Sequence, residues 1–105
     1  GQIARRRGYR VVSELGGHGV GYQVNEPTLV PNLGRRGAGP RLAPGLVLAI
    51  EPMLTSGQAS VSYDTDGYTV RTADGSWSAH FEQTVAVTET GAEILTPWPA
   101  PLAAL

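Results

Sequence analysis

The sequence predicts an α+β domain in which short antiparallel strands dominate and a single helix lies at the start. Three observations lead there. Gly (14) and Pro (8) together make about 21% of the 105 residues, against roughly 12% in average usage, so turns are frequent and long helices few. Apolar segments of five to ten residues recur from Gly45 onward, the length range of strands. Asp-Gly and Thr-Gly pairs punctuate those segments at Asp66-Gly67, Asp74-Gly75 and Thr90-Gly91, and an Asp-Gly pair between β-prone runs is a strong short-range hairpin signal. Leu, Ile, Val and Phe make about 23% of the chain, just above the roughly 20% below which chains stay disordered. One domain with a lean core is the expectation.

Gln2 to Arg7 reads as a helix of about two turns. Arg5, Arg6 and Arg7 sit at its C-terminal end, where cations suit the dipole, and Gly8 supplies the stop. Tyr9 to Val12 is β-prone. Gly16 to Gly21 places four glycines around His18 and Val20, a density that lets the backbone approach something closely. Pro27 to Pro44 holds four prolines and three glycines and is expected to be a surface loop. Strands are expected over Leu46–Leu54, Ala59–Tyr63, Tyr68–Thr72, Ala79–Thr88 and Ala92–Leu95. The run PWPAP after Thr96 cannot continue a central strand, so the chain divides into a domain over 1–96 and a Pro-rich tail over 97–105.

Charge and composition exclude several classes. The net charge of -1, with Arg5 to Arg7 as the sole basic cluster, gives no footprint for a nucleic-acid backbone. The longest apolar run, Leu46 to Ile50, is far short of the roughly 20 residues of a membrane-spanning helix, and no signal-peptide pattern is present. With no Cys, disulfides and thiolate metal sites are impossible; any metal falls to His and carboxylate oxygens. These features point to a cytoplasmic protein that binds neither nucleic acid nor membrane. The first residue is Gly rather than Met, so the expectation is that further sequence precedes it.

Four residues stand out chemically. Glu51 ends an apolar run, where a carboxylate must be paired, protonated or bound to a metal. A structural ion pair with Arg71 or Arg41 and a ligand or catalytic role are equal readings there. Glu82 lies in an alternating segment that puts His80, Glu82, Thr84 and Ala86 on one face, an arrangement that ordinary amphipathic patterning also produces; His80 reads as a neighbour rather than a ligand. His18, between glycines, lacks the spacing of a phosphate-binding loop. Together His18, Glu51 and Glu82 form a donor set suited to Mn, Fe, Co or Zn. Asp64, Asp66 and Asp74 fall in turns, where solvation is the default, so residue chemistry by itself stops at one metal ion.

The segments GYRVVSELGGHGVG, NEPTLVPN, GPRLAPGLVLAIEPM and DGYTVRTADGSWSAHFEQTVAVTETGAEILT resemble the type I methionine aminopeptidases. The likeness covers nearly all of residues 1–96. It implies the C-terminal half of a pita-bread fold, a curved antiparallel sheet with a flanking helix, and two divalent metal ions (Co, Mn, Fe or Zn) held by five ligands. His18 matches the imidazole ligand, Glu51 a ligand that also serves as general base or proton shuttle, and Glu82 the carboxylate bridging both ions. Tyr68 falls where the family has a Trp lining the methionine pocket, with Val24 beside the same substrate. The two remaining ligands, both Asp, belong to an N-terminal half to which nothing in this sequence corresponds.

Two departures from the family pattern bear on catalysis. Val24-Asn25 stands where Phe-His is common, so Asn25 can donate a hydrogen bond to the scissile peptide but cannot supply a proton. Gln83 replaces a commoner His. The implied activity is removal of initiator methionine from nascent polypeptide N-termini, with the ribosome as a possible partner and the N-terminal half required. A non-catalytic binding module and an Xaa-Pro aminopeptidase or prolidase relative are the alternatives; the IEPM run and the short Glu51 to Glu82 interval fit the methionine branch better.

Overall fold

The computed structural model describes residues 1–99. Its elements in order are α1 (Gln2–Arg6), β1 (Arg10–Val11), β2 (Gly16–Gly19), β3 (Glu26–Pro31), β4 (Val47–Ile50), β5 (Met53–Thr55), β6 (Val61–Tyr63), β7 (Val70–Thr72), β8 (Ser78–His80), β9 (Gln83–Thr88) and β10 (Gly91–Ile94). Every strand pair is antiparallel. A five-stranded sheet runs β10-β9-β4-β2-β3, a three-stranded sheet runs β1-β5-β8, and β6-β7 form a separate ribbon. The strand-rich architecture with one flanking helix is the one expected.

The helix ends as its sequence dictates. Gly8 takes φ +83, its N–H bonds Arg5 O, and Tyr9 N–H bonds Ala4 O. This is a Schellman closure, which needs the left-handed conformation that glycine adopts without a steric penalty. Ala4 is thereby turned inward and buried, and the chain enters β1 against β5, with Arg10 opposite Thr55.

Two expected strands are each divided. Leu46–Leu54 becomes β4 and β5, and Ala79–Thr88 becomes β8 and β9. Ile50 pairs with Gln83 on one side of the break and Met53 with His80 on the other. The register is the same on both sides, so Glu51 falls opposite Glu82 and Pro52 opposite Phe81. Pro52 has no N–H to give the ladder, and one backbone bond, Phe81 N–H to Pro52 O at 3.1 Å, spans the gap. The two acidic residues singled out in the sequence therefore occupy the junction between the two larger sheets.

The expected loop from Pro27 to Pro44 begins instead as strand. β3 is an edge strand, where a proline lacking its donor is tolerated because only one side carries a ladder. Its burial alternates along Glu26–Pro31, with Pro27, Leu29 and Pro31 outward. Asp74-Gly75 is likewise corrected: it forms a turn, with Gly75 N–H bonding Thr72 O, but β7 and β8 on its two sides belong to different sheets. The other two turns do join paired strands, β6-β7 and β9-β10.

The core is small. Its buried apolar side chains are Ala4, Val11, Val12, Leu48 and Ala49, while Tyr22, Tyr68 and Trp77 are almost fully exposed. The Cα radius of gyration, 15.5 Å, exceeds the ~13 Å of a compact chain of about 100 residues. Of the expected tail over 97–105, Trp98 lies with its ring edge-on to Phe81 at 5.9 Å between centroids, and residues 100–105 lie outside the described residues. Among the described residues no helix is long and apolar enough to cross a membrane.

Candidate metal centre

The glycines around His18 fit one strand tightly between two others. A Cβ on Gly16 would lie 2.7 Å from Val30 O, on Gly17 1.9 Å from Ala49 O, and on Gly19 2.6 Å from Pro27 O. The close approach anticipated from glycine density is thus made to the backbones of β3 and β4 within the fold. Between Gly17 and Gly19 the β2-β3 register shifts, and Thr28 across from it adopts φ 121. The extra residues are on β3, where Pro27, Thr28 and Leu29 together stand against His18 alone, and such bulges alter the local twist of a strand pair.

His18 Nδ1 lies 2.8 Å from Gly19 O. A carbonyl oxygen only accepts, so Nδ1 carries the proton and the ring is fixed with Nε2 facing Glu51, 3.2 Å from Oε1. The Glu51 side chain is largely buried, at 12% exposure, and its other oxygen lies 3.3 Å from His80 Nε2. Glu82 is the exposed member of the group. One donor atom each from His18, Glu51 and Glu82 lies within 4.8 Å of the others.

That geometry fits a divalent cation. Like charges directly opposite in an antiparallel ladder are destabilising, and Glu51 and Glu82 occupy such a position with an imidazole nitrogen aimed at the same point. An ion between them offsets both carboxylate charges and takes the His18 lone pair. The set of one nitrogen and two carboxylates suits Mn, Fe, Co or Zn, and the Gly19 carbonyl behind Nδ1 is the kind of outer partner that fixes a metal-binding imidazole.

The ion pair once open to Glu51 takes a different form. Arg71 is turned away to Asp64, with Nε–Oδ2 at 2.8 Å, and Glu51 faces imidazoles instead of a guanidinium. The three Asp residues of the turns serve local structure. Asp66 accepts from Tyr68 N–H, Thr69 N–H and Thr69 Oγ1, and these bonds, the Thr69 hydroxyl first, hold its carboxyl below the usual range. Asp74 accepts from Gln58 N–H at 2.7 Å and Ser76 N–H at 3.0 Å. The Gln58 bond leads in lowering its pKa to about 2.

The remaining expected site residues are all exposed. Val24 and Tyr68 are 80% and 91% exposed, Asn25 is exposed just before β3, and Tyr68 follows Gly67 in the β6-β7 turn. A cleft of about 270 Å³ beside the junction is lined by Val12, Leu15, Met53, Val70 and His80 among others; Val24, Asn25 and Tyr68 are absent from its wall. His80 was read as a neighbour, and its contact with Glu51 follows from the continuous register, which sets it opposite Met53. The signal in the sequence was its place on the same alternating face as Glu82.

Comparison with known proteins gives a family and several relatives. Residues 1–89 match metallopeptidase family M24. The methionine aminopeptidase of Clostridium perfringens is 52% identical over 95 residues, covering 90% of this chain and 38% of the relative. Methionine aminopeptidase 1 of Bacillus subtilis is 51% identical over 88 residues, covering 84% and 36%. The crystal structure of the Thermotoga maritima methionine aminopeptidase superposes with a TM-score of 0.85 at 45% identity, over 90% of this chain and 38% of that one. The chain thus spans little more than a third of the length of the relatives it matches.

Proposed function

The chain belongs to metallopeptidase family M24, and from that premise we propose that it forms the C-terminal part of a methionine aminopeptidase, which releases the initiator methionine from nascent polypeptides. The observation that carries this is the convergence of His18, Glu51 and Glu82 donor atoms within 4.8 Å at a junction where two carboxylates oppose each other. That the similar relatives are methionine aminopeptidases supports it.

In this reading His18, Glu51 and Glu82 would hold divalent metal, together with two Asp ligands from the N-terminal half of the fold. Bound ions supply Lewis acidity and water activation. Glu51 takes a proton from the attacking water as its oxygen bonds the methionyl carbonyl carbon. It passes that proton to the departing amine as the peptide C–N bond breaks. Asn25, replacing a common His, offers an amide N–H to the scissile carbonyl and no transferable proton; Val24 and Tyr68 face the methionine side chain. Without its N-terminal half the chain is inactive, and the exposed apolar residues are surface that half covers.

The test compares the 105-residue chain with a fusion that supplies the N-terminal portion of the Bacillus subtilis relative, using Met-Ala-Ser and Xaa-Pro peptides with added Mn or Co. Methionine release by the fusion and none by the chain alone is expected. A folded, metal-loaded fusion that cleaves neither peptide contradicts the enzymatic reading, and cleavage confined to Xaa-Pro moves the chain to the prolidase branch.

A further inference from the structure

Glu51 stands at the seam of the two larger sheets and meets an imidazole from each. His18 comes from β2 in the five-stranded sheet and reaches Oε1 at 3.2 Å. His80 comes from β8 in the three-stranded sheet and reaches Oε2 at 3.3 Å. The two imidazoles are not equivalent. His18 belongs to the set of mutually close donors, whereas that set of three does not include His80.

We propose that His80 is a positioning residue. Its Nε2–H holds Glu51 Oε2 so that Oε1 stays directed at the point shared with His18 and Glu82. This rests on the metal reading of that point. A carboxylate that binds through one oxygen has a second oxygen to satisfy, and Glu51, at 12% side-chain exposure, has little access to water for the purpose. Among the described residues the ionisable nitrogen within 4 Å of Oε2 is His80 Nε2. The β5-β8 pairing fixes its place, since His80 lies opposite Met53 and Ala79 opposite Leu54. Outer-shell donors of this kind typically contribute 10–100-fold to metal affinity.

Titration of the metal-free fusion described above with Co²⁺ by calorimetry, together with its visible ligand-field spectrum, tests this. Three proteins are compared: wild type, His80→Ala and His80→Gln. Their metal-free far-UV circular dichroism is checked first, and a variant that has lost the wild-type spectrum is replaced by His80→Asn as the donor-bearing partner or His80→Val as the donor-free one. The expected result is Co²⁺ affinity at least 10-fold weaker in His80→Ala, and within about threefold of wild type in His80→Gln, whose amide N–H restores the donor. The spectrum of His80→Gln keeps the wild-type band positions, because the first coordination sphere is unchanged. Equal affinity of His80→Ala and wild type overturns the proposal and leaves the metal centre standing. Equal weakening in both variants, with shifted bands, makes His80 a direct ligand and also overturns it. Absence of Co²⁺ binding by wild type removes the metal centre and this role together.

Discussion

Replacing Gly17 by Ala tests the packing that aims His18. The added Cβ would lie 1.9 Å from Ala49 O and 2.9 Å from Ala49 C. Both are backbone atoms, so no rotamer change relieves the overlap. An ordinary carbon–oxygen contact is over 1 Å longer, and neighbouring strands stand only about 4.8 Å apart, so β2 and β4 must separate around Leu48 and Ala49, two of the few core residues. Overpacking in a core costs about 1–3 kcal/mol; a rigid backbone obstacle puts this case at the upper end, about 3 kcal/mol. With a urea m-value of roughly 1–3 kcal/mol per molar, the unfolding midpoint should fall by about 1 M or more. Gly34→Ala is the control, since nothing lies within 4 Å of its added Cβ, and its effect should stay within about 0.5 kcal/mol. A Gly17→Ala midpoint indistinguishable from that of Gly34→Ala would refute the close-packing account of the glycine run.

Glu82→Gln removes the negative charge opposite Glu51 while keeping shape, and should abolish or weaken divalent-metal binding at least 10-fold while leaving metal-free stability equal or higher; equilibrium dialysis with Mn²⁺ and a urea melt read the two effects. Asp74 has its carboxyl lowered from 3.8 to about 2, so its hydrogen bonds to Gln58 and Ser76 add stability that is full above about pH 4 and is lost as pH falls toward 2. Asp66 loses its contribution in the same direction, and Asp74→Asn should flatten part of the acid limb of midpoint against pH. Trp98→Ala removes the edge contact on Phe81 and should cost about 0.5–1 kcal/mol, the lower part of the range for aromatic pairs because both rings are partly exposed; far-UV circular dichroism during urea unfolding would follow it.

Much of the site was legible in the sequence because its chemistry is local. A carboxylate ending an apolar run, a His among glycines and a Glu on an alternating strand are the three donors whose atoms lie within 4.8 Å of one another, although each taken singly also fits an ordinary structural reading. The opposition of Glu51 and Glu82 was not legible, since it depends on the register between segments some thirty residues apart, and no local pattern fixes that. The same limit applies to Asp74-Gly75, where the turn was readable but its partners were not. β3 was hidden by Pro27 and Pro31, which argue against a strand until it is known to lie at an edge. Arg71 shows the converse error: the sequence offers it, with Arg41, as a cation for Glu51, but its place in the β6-β7 ribbon gives it to Asp64.

The central claim is that His18, Glu51 and Glu82 hold a divalent ion between the two sheets. Anomalous scattering from crystals of the fusion that supplies the N-terminal portion, grown with Co²⁺, tests it most directly. The account predicts a peak bonded to His18 Nε2 and to oxygens of Glu51 and Glu82. A well-ordered junction with no peak there, or with cobalt bound only at other residues, would contradict it.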